Sequence, residues 1–218
     1  MIMADMSDLL GRAARLAAGG RAILGVTGAP GAGKSTFAEH LVSGLLERGV
    51  AAVRLPMDGF HLADATLASL GLLQRKGSVE TFDGYGYCAL LHRLLNEADP
   101  FVYAPDFDRS LGQPLAGAVT IGPDVQLVVT EGNYLLNPEN PWAQARAALA
   151  EVWYCRLPDA ERQRRLVTRH MRFGKSEEGA RSWVSQVDEA NAAQVSALES
   201  SADLVIDMEA LGLPPGRD

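Results

Sequence analysis

One glycine-rich run, Gly28-Ala29-Pro30-Gly31-Ala32-Gly33-Lys34-Ser35, constrains this chain more than any other feature, because it fits G-x-x-x-x-G-K-[ST]. A loop of that pattern works only between a strand and a helix. Ala22 to Val26 is a short apolar run, and beyond the loop Phe37, Leu41, Leu45 and Leu46 predict one apolar helical face between Phe37 and Glu47. Glycines let backbone N–H groups converge on an anion without Cβ clashes, and the following helix aims its positive end at the same point. The expected phosphate cradle is therefore Gly28, Ala29, Gly31, Ala32, Gly33, Lys34, Ser35 and Thr36. Lys34 would place its charge on the β- and γ-phosphates, the Ser35 hydroxyl would ligate Mg²⁺, and Thr36 would add a phosphate contact.

Four more apolar runs, Ala51–Met57, Val125–Thr130, Glu151–Leu157 and Leu204–Asp207, complete a set of five short strands. Between them lie helical patterns, such as Cys88–Ala98 with Leu90, Leu91, Leu94 and Leu95 on its apolar side. Strands that do not alternate in polarity, separated by helices, predict a parallel sheet covered on both faces. With 47% hydrophobic residues, 218 residues suffice for one domain, 1–218, with a real core. Near the start, Leu9, Leu10, Ala13, Leu16 and Ala17 predict an amphipathic helix ended by Gly19-Gly20. Asp5 and Asp8 interrupt that segment, and Arg12 and Arg15 follow its apolar residues, which does not fit a signal peptide. Lys and Arg number 20 against 27 Asp and Glu, a net charge of −7, which argues against a nucleic-acid partner but not against a local anion site. No run reaches the roughly 20 apolar residues that span a bilayer, so no membrane insertion is expected. Cys88 and Cys155 sit among apolar neighbours and predict reduced core thiols in a cytoplasmic protein. Two cysteines are too few for a Cys-ligated structural zinc.

Other motifs narrow the chemistry. A guanine-reading [NT]-K-x-D motif and a Leu-Ser-Gly-Gly-Gln run are both absent, and no strand leads into the D-x-x-G match at Asp83-Gly84-Tyr85-Gly86. The second strand ends in Met57-Asp58-Gly59-Phe60-His61, a carboxylate at the C-terminal end of a parallel strand, where open α/β sheets bind ligands. Beside a Mg²⁺–phosphate site Asp58 can take a hydroxyl proton; an Asx-turn or helix cap is the structural alternative. Glu131 ends the Val125–Thr130 run, from which a carboxylate reaches Mg²⁺ directly or through water. Which of the two is base and which holds the metal stays open. His61, three residues after Asp58, can touch the acceptor or polarise Asp58, and Arg75-Lys76 can clamp an anionic or hydroxyl-rich acceptor or form a plain solvated pair. Asp108-Arg109 lies in a loop bracketed by Pro105 and Pro114, where Arg109 offers a planar donor fork. Arg162, Arg165, Arg169 and Arg172 fall at i, i+3, i+7 and i+10 on one side of a helix that Gly174 ends. That stripe requires an anion, either a polyphosphate or the carboxylates of Glu161, Glu177 and Glu178.

Together these elements resemble the phosphoribulokinase/uridine kinase/bacterial pantothenate kinase family of P-loop kinases. The likeness is closest to a uridine-kinase-like branch of nucleoside or nucleotide kinases that takes in fructose-transport-system kinases. It rests on Gly28 to Thr36, Met57 to His61, Arg75-Lys76-Gly77, Glu80-Thr81-Phe82-Asp83, Phe107-Asp108-Arg109, Glu131-Gly132-Asn133-Tyr134-Leu135-Leu136 and Arg165 to His170, and spans Leu24 to Ile206. The resemblance implies a three-layer α/β P-loop fold with a five-stranded parallel sheet of order 2-3-1-4-5 and an Arg-rich lid at about 158–181. It implies that Asp58 faces the acceptor hydroxyl, that the Arg109 loop borders the acceptor, and that Arg165 and Arg169 close over ATP. The expected activity is Mg²⁺-dependent transfer of the γ-phosphoryl of ATP to a hydroxyl of a small molecule, with Lys34, Asp58, Glu131 and Arg169 as catalytic residues. A fructose-like sugar is the first expectation for the acceptor; uridine or another nucleoside, and pantothenate, are the alternatives. A nucleotide-binding regulator without kinase chemistry is the reading from another class. Asp188 and Asn191 resemble an Asp-x-x-Asn element of this branch, with no role assigned, and assembly as a homodimer is left open.

Overall fold

The computed structural model describes residues 2–97 and 101–213. Ala98, the expected end of the helix from Cys88, and the limits of the 1–218 domain, Met1 and residues 214–218, lie outside the described residues. In chain order, β1 (Ile2–Met3) leads to α1 (Met6–Leu16), whose first N–H groups donate to the Asp5 carboxylate. β2 (Ala22–Thr27) feeds the glycine-rich loop and α2 (Lys34–Glu47). Next come β3 (Ala52–Pro56), a 3₁₀ turn (Met57–Phe60), α3 (Asp64–Ser69) and α4 (Gly84–Asn96). β4 (Val102–Asp108) and β5 (Gln113–Ile121) precede β6 (Leu127–Glu131), α5 (Trp142–Ala147) and β7 (Glu151–Arg156). The chain continues with α6 (Asp159–Arg172), α7 (Glu177–Trp183), a π turn (Val184–Asp188), α8 (Glu189–Ser196), β8 (Leu204–Asp207) and α9 (Met208–Leu211).

The main sheet runs β1-β8-β7-β2-β6-β3, all parallel. The five strands read from the sequence take the expected order 2-3-1-4-5. The sheet nevertheless has six strands, not five, because Ile2–Met3 adds an edge strand beside Val205 and Ile206. Two residues are too few to show a period in sequence. Successive strand residues divide between the two faces. Ile23, Leu55 and Val128 pack with Tyr87, Leu91 and Trp142 on one side. Leu24, Val26 and Val129 pack with Leu9, Phe37 and Leu41 on the other. These are the two helical layers of a three-layer fold, and the N-terminal amphipathic helix belongs to the second.

The Pro105–Pro114 segment is a second correction: it is no loop but an antiparallel hairpin of β4 and β5. Pro105 falls where the register shifts between Ala104 and Asp106, a bulge at which a missing N–H costs little. Leu46 and Leu95, expected on apolar helix faces, are exposed. Each directly follows a buried leucine, and about 100° of rotation per residue turns it outward. The D-x-x-G match is a helix cap: the Asp83 carboxylate accepts the Gly86 N–H at 2.8 Å at the start of α4.

Candidate active site

The C-terminal ends of β2, β3 and β6 open on a cleft of about 610 Å³. Gly33 caps α2 with φ +89°, a left-handed conformation that glycine adopts without strain. Lys34 begins α2 and is almost wholly buried. Its Nζ donates to the carbonyls of Gly28 (2.9 Å) and Ala29 (3.1 Å). Burial, the largest influence, pulls the Lys34 ammonium down to about 8, against the opposite pull of Glu131 and Asp58. Gly31, Gly33, Ser35 and Thr36 line the cleft with it, while Ala29 and Ala32 are buried in the loop.

Two glycines bring the carboxylates together. A Cβ on Gly59 would sit 2.4 Å from the Pro105 carbonyl, so the hairpin rests directly on the turn that carries Asp58. A Cβ on Gly132 would meet Met57 Cβ at 2.5 Å, which sets the ends of β3 and β6 side by side. Asp58 and Glu131 therefore both line the cleft. Burial acts to raise the Asp58 carboxyl, but the positive field of His61, Arg109, Lys34 and Arg169 outweighs it and holds the group below its ordinary value. Arg109 lies 3.8 Å from Asp58 Oδ2. Glu131 moves the other way: burial first, then the Asp58 charge, raise it, opposed by Arg54 and Lys34. The two carboxyls are thus pushed in opposite directions, Asp58 toward its ionised form.

His61 Nδ1 lies 2.8 Å from the Asp58 carbonyl, and its ring packs at 3.9 Å from Phe82 and 4.9 Å from Phe107. Burial lowers the His61 pKa, against the opposite pull of Asp58. Lys76 lines the cleft with its Nζ 2.5 Å from Asp64 Oδ1 and bonded to the Gly112 carbonyl. Arg75 parts from it: it is exposed, paired with Glu80 at 2.5 Å, and not among the described residues lining the cleft. Over the cleft lies α6, from which Arg165, Arg169 and Arg172 contribute lining. Arg162 does not share that role. It is buried at 2% exposure, donates to the Pro30 carbonyl at 2.9 Å and pairs with Asp159 and Glu189. The stripe is thus one structural arginine followed by cleft arginines.

Arg54 is a functional candidate not singled out in the sequence. It reaches from β3 to Glu131 (2.9 Å) and Asp106 (3.4 Å), so the hairpin and the β6 carboxylate share one guanidinium. An arginine inside an apolar strand was the available signal.

Ser35 and Glu131 are hard oxygen donors beside the cradle, the donor chemistry Mg²⁺ takes. Among the described residues no group of three or more His, Cys, Asp or Glu could hold a metal alone. The loop, with Lys34 and the α2 N-terminus, fits a polyphosphate.

The family profile that matches covers residues 3–59 and describes the methylmalonyl Co-A mutase-associated GTPase MeaB. That stretch holds β2, the loop, α2, β3 and Asp58. A protein called a "Putative uridine kinase" from Schizosaccharomyces pombe is 31% identical over 160 residues, 71% of this chain and 68% of that one. The "ATP-dependent kinase-like protein notR'" of Aspergillus versicolor is 37% identical over 125 residues, 54% of this chain and 73% of its own. The solved structure of a "putative fructose transport system kinase" from Silicibacter sp. TM1040 matches with a TM-score of 0.84 at 35% identity, over 92% of this chain and 98% of the other.

Proposed function

Because this chain belongs to the uridine-kinase-like P-loop kinases, we propose that it moves the γ-phosphoryl of ATP to a hydroxyl of a small molecule. The observation that carries this reading is the single cleft holding Lys34, Asp58 and Glu131, with room beyond them for an acceptor. Lys34 and the loop amides would hold the β- and γ-phosphates, and Ser35 and Glu131 would hold Mg²⁺. The bound ion would supply charge neutralisation on the phosphates. Asp58, kept ionised by the cations around it, accepts the acceptor's hydroxyl proton as the phosphate is attacked. Arg169 lies close enough to Asp58 and Lys34 to act on the same charges, and with Arg165 it closes over the phosphates from α6. His61, Lys76 and Arg109 form the acceptor end; Arg75 stands outside the cleft and belongs to the surface.

A sugar or related polyol is the first acceptor; nucleosides, which the name of the Schizosaccharomyces pombe relative supports, and pantothenate are the alternatives. No helix among the described residues is long and apolar enough to cross a membrane, and the reading places the reaction in the cytoplasm, where ATP and Mg²⁺ are at hand. The test is acceptor-stimulated ADP release across sugars, nucleosides and pantothenate. Stimulation lost in Lys34→Ala supports the kinase. ATP binding without stimulation by any acceptor favours a nucleotide-binding regulator.

A further inference from the structure

Asp188 and Asn191 line the same cleft, beyond the arginines of α6 in the chain. Both line the cavity, with Asn191 at 4% and Asp188 at 8% exposure. Asp188 closes the π turn Val184–Asp188 that runs into α8. Such turns insert an extra residue into a helix, re-aim its side chains, and recur at functional sites.

A carboxylate removed from water costs several kcal/mol unless its oxygens find partners. Asp188 Oδ2 lies 2.8 Å from His170 Nε2. Its Oδ1 makes no hydrogen bond among the described residues, and it caps no N–H of α8. Asn191 is held in one orientation, since its Nδ2 donates to the Gly77 carbonyl at 3.2 Å. The same carbonyl accepts the Tyr134 hydroxyl at 2.6 Å. That leaves Asn191 Oδ1 as an acceptor. Asp188 and Asn191, one helical turn apart in the cavity wall, thus each keep one acceptor oxygen that makes no hydrogen bond among the described residues.

Two lysines of the lining are already engaged. Lys76 is bound to Asp64 and the Gly112 carbonyl, and Lys175 Nζ stacks 4.1 Å above the Trp183 ring. A ligand carboxylate here would meet oxygens of its own kind. A ligand hydroxyl would donate to both.

The geometry points to Asp188 and Asn191 as acceptor-binding residues that read the hydroxyl groups of an uncharged polyhydroxylated acceptor, a sugar or nucleoside, and disfavour one recognised through a carboxylate. This rests on the kinase reading proposed above and narrows its acceptor class. Asp58 takes the proton of the reacting hydroxyl; Asp188 and Asn191 hold hydroxyls on the far side of the same molecule.

The experiment measures ADP release with D-fructose, uridine, pantothenate and D-glycerate, in the wild type, Asp188→Asn, Asn191→Ala and Lys34→Ala. In the wild type an uncharged acceptor should give the higher kcat/KM. Losing a hydrogen bond to a buried acceptor, charged in Asp188, should raise the KM for that acceptor about 10–100-fold, with the KM for ATP within about twofold. A merely structural role would move both constants or neither. If one variant does not fold, the other carries the measurement. A wild type that prefers pantothenate or glycerate overturns the inference and leaves the kinase standing. So does an unchanged acceptor KM in the folded variants. No stimulation by any of the four acceptors overturns the inference together with the kinase reading, and ATP binding measured beside it shows which level failed.

Discussion

At the strand ends, Lys34 and Glu131 are buried, set by β2 and β6 in mid-sheet, and bonded to backbone carbonyls or to Arg54. On α6 and α7 the charges lie mostly at the surface, where Arg164 and Arg165 share Glu161 and Arg181 pairs with Glu177. Exposed pairs of that kind contribute about 0–1 kcal/mol each. One end of the cleft is preorganised and costs nothing to assemble at the moment of reaction. The other, beyond the buried Arg162, is held by surface contacts weak enough to exchange, as the proposed lid would require.

If the strand-end half carries the chemistry, Asp58→Asn should lower turnover about 10²–10⁴-fold with ATP affinity nearly unchanged. Steady-state kinetics beside calorimetry reads both, and a loss of ATP binding instead would move Asp58 to the nucleotide side and make Glu131 the better base. Lys34→Ala should cost about 2–4 kcal/mol of transition-state stabilisation, the usual scale for a preorganised donor. Full turnover in a folded variant would remove Lys34 from its assigned place. On the covering half, Arg169→Ala should weaken nucleotide affinity and turnover together, by about tenfold or more, because its charge acts on the phosphates. Arg162→Met should behave differently from its neighbour: stability, read by denaturant unfolding, should fall by about 2–3 kcal/mol. That is below the usual loss for a broken buried pair because Asp159 is exposed. If Arg162→Met leaves stability intact, the division of the stripe is wrong.

The smallest effect is on pH. Phosphate binding needs the Lys34 ammonium, and burial brings that group to about 8 in the ligand-free protein. Below that value the charge is already present; above it, ATP must recruit a proton to the amine. ATP affinity should therefore fall as pH rises through about 8, with proton uptake visible as a dependence of binding heat on buffer. A flat affinity from pH 7 to pH 9 would count against it.

The position of Asp58 and Glu131 in the cleft was legible because buried parallel strands read as unbroken apolar runs, and open α/β sheets form their clefts at the strands' C-terminal ends. The helix patterns held for the same reason, except where a leucine beside a buried leucine turned outward. Periodicity gives a direction and no depth, so the arginine spacing put Arg162 beside Arg165 and Arg169. Its burial is decided by Pro30 and Glu189, remote in sequence. Arg75 and Lys76 were indistinguishable as neighbours, yet one faces Glu80 and the other the cleft. The hairpin stayed hidden because its prolines carried a loop signal that a bulge tolerates. The lid-side oxygens of Asp188 and Asn191 depend on a π turn, for which composition holds no sign.

Arg162 also fixes the mechanics of the cover. Its bond to the Pro30 carbonyl pins the base of α6 to the phosphate loop itself. Arg169 stands two helical turns farther along, about 10 Å at 1.5 Å per residue. In the proposed lid role the helix would be a short lever with its fulcrum on the glycine-rich loop. A tilt of about 10° would sweep the Arg169 backbone by about 2 Å, the difference between a salt-bridge distance and a water-filled gap. If α6 is the lid proposed above, fastening its base to Pro30 would make its swing an arc about the phosphate loop, and a displacement of that loop by a bound anion would pass into the angle of the arm.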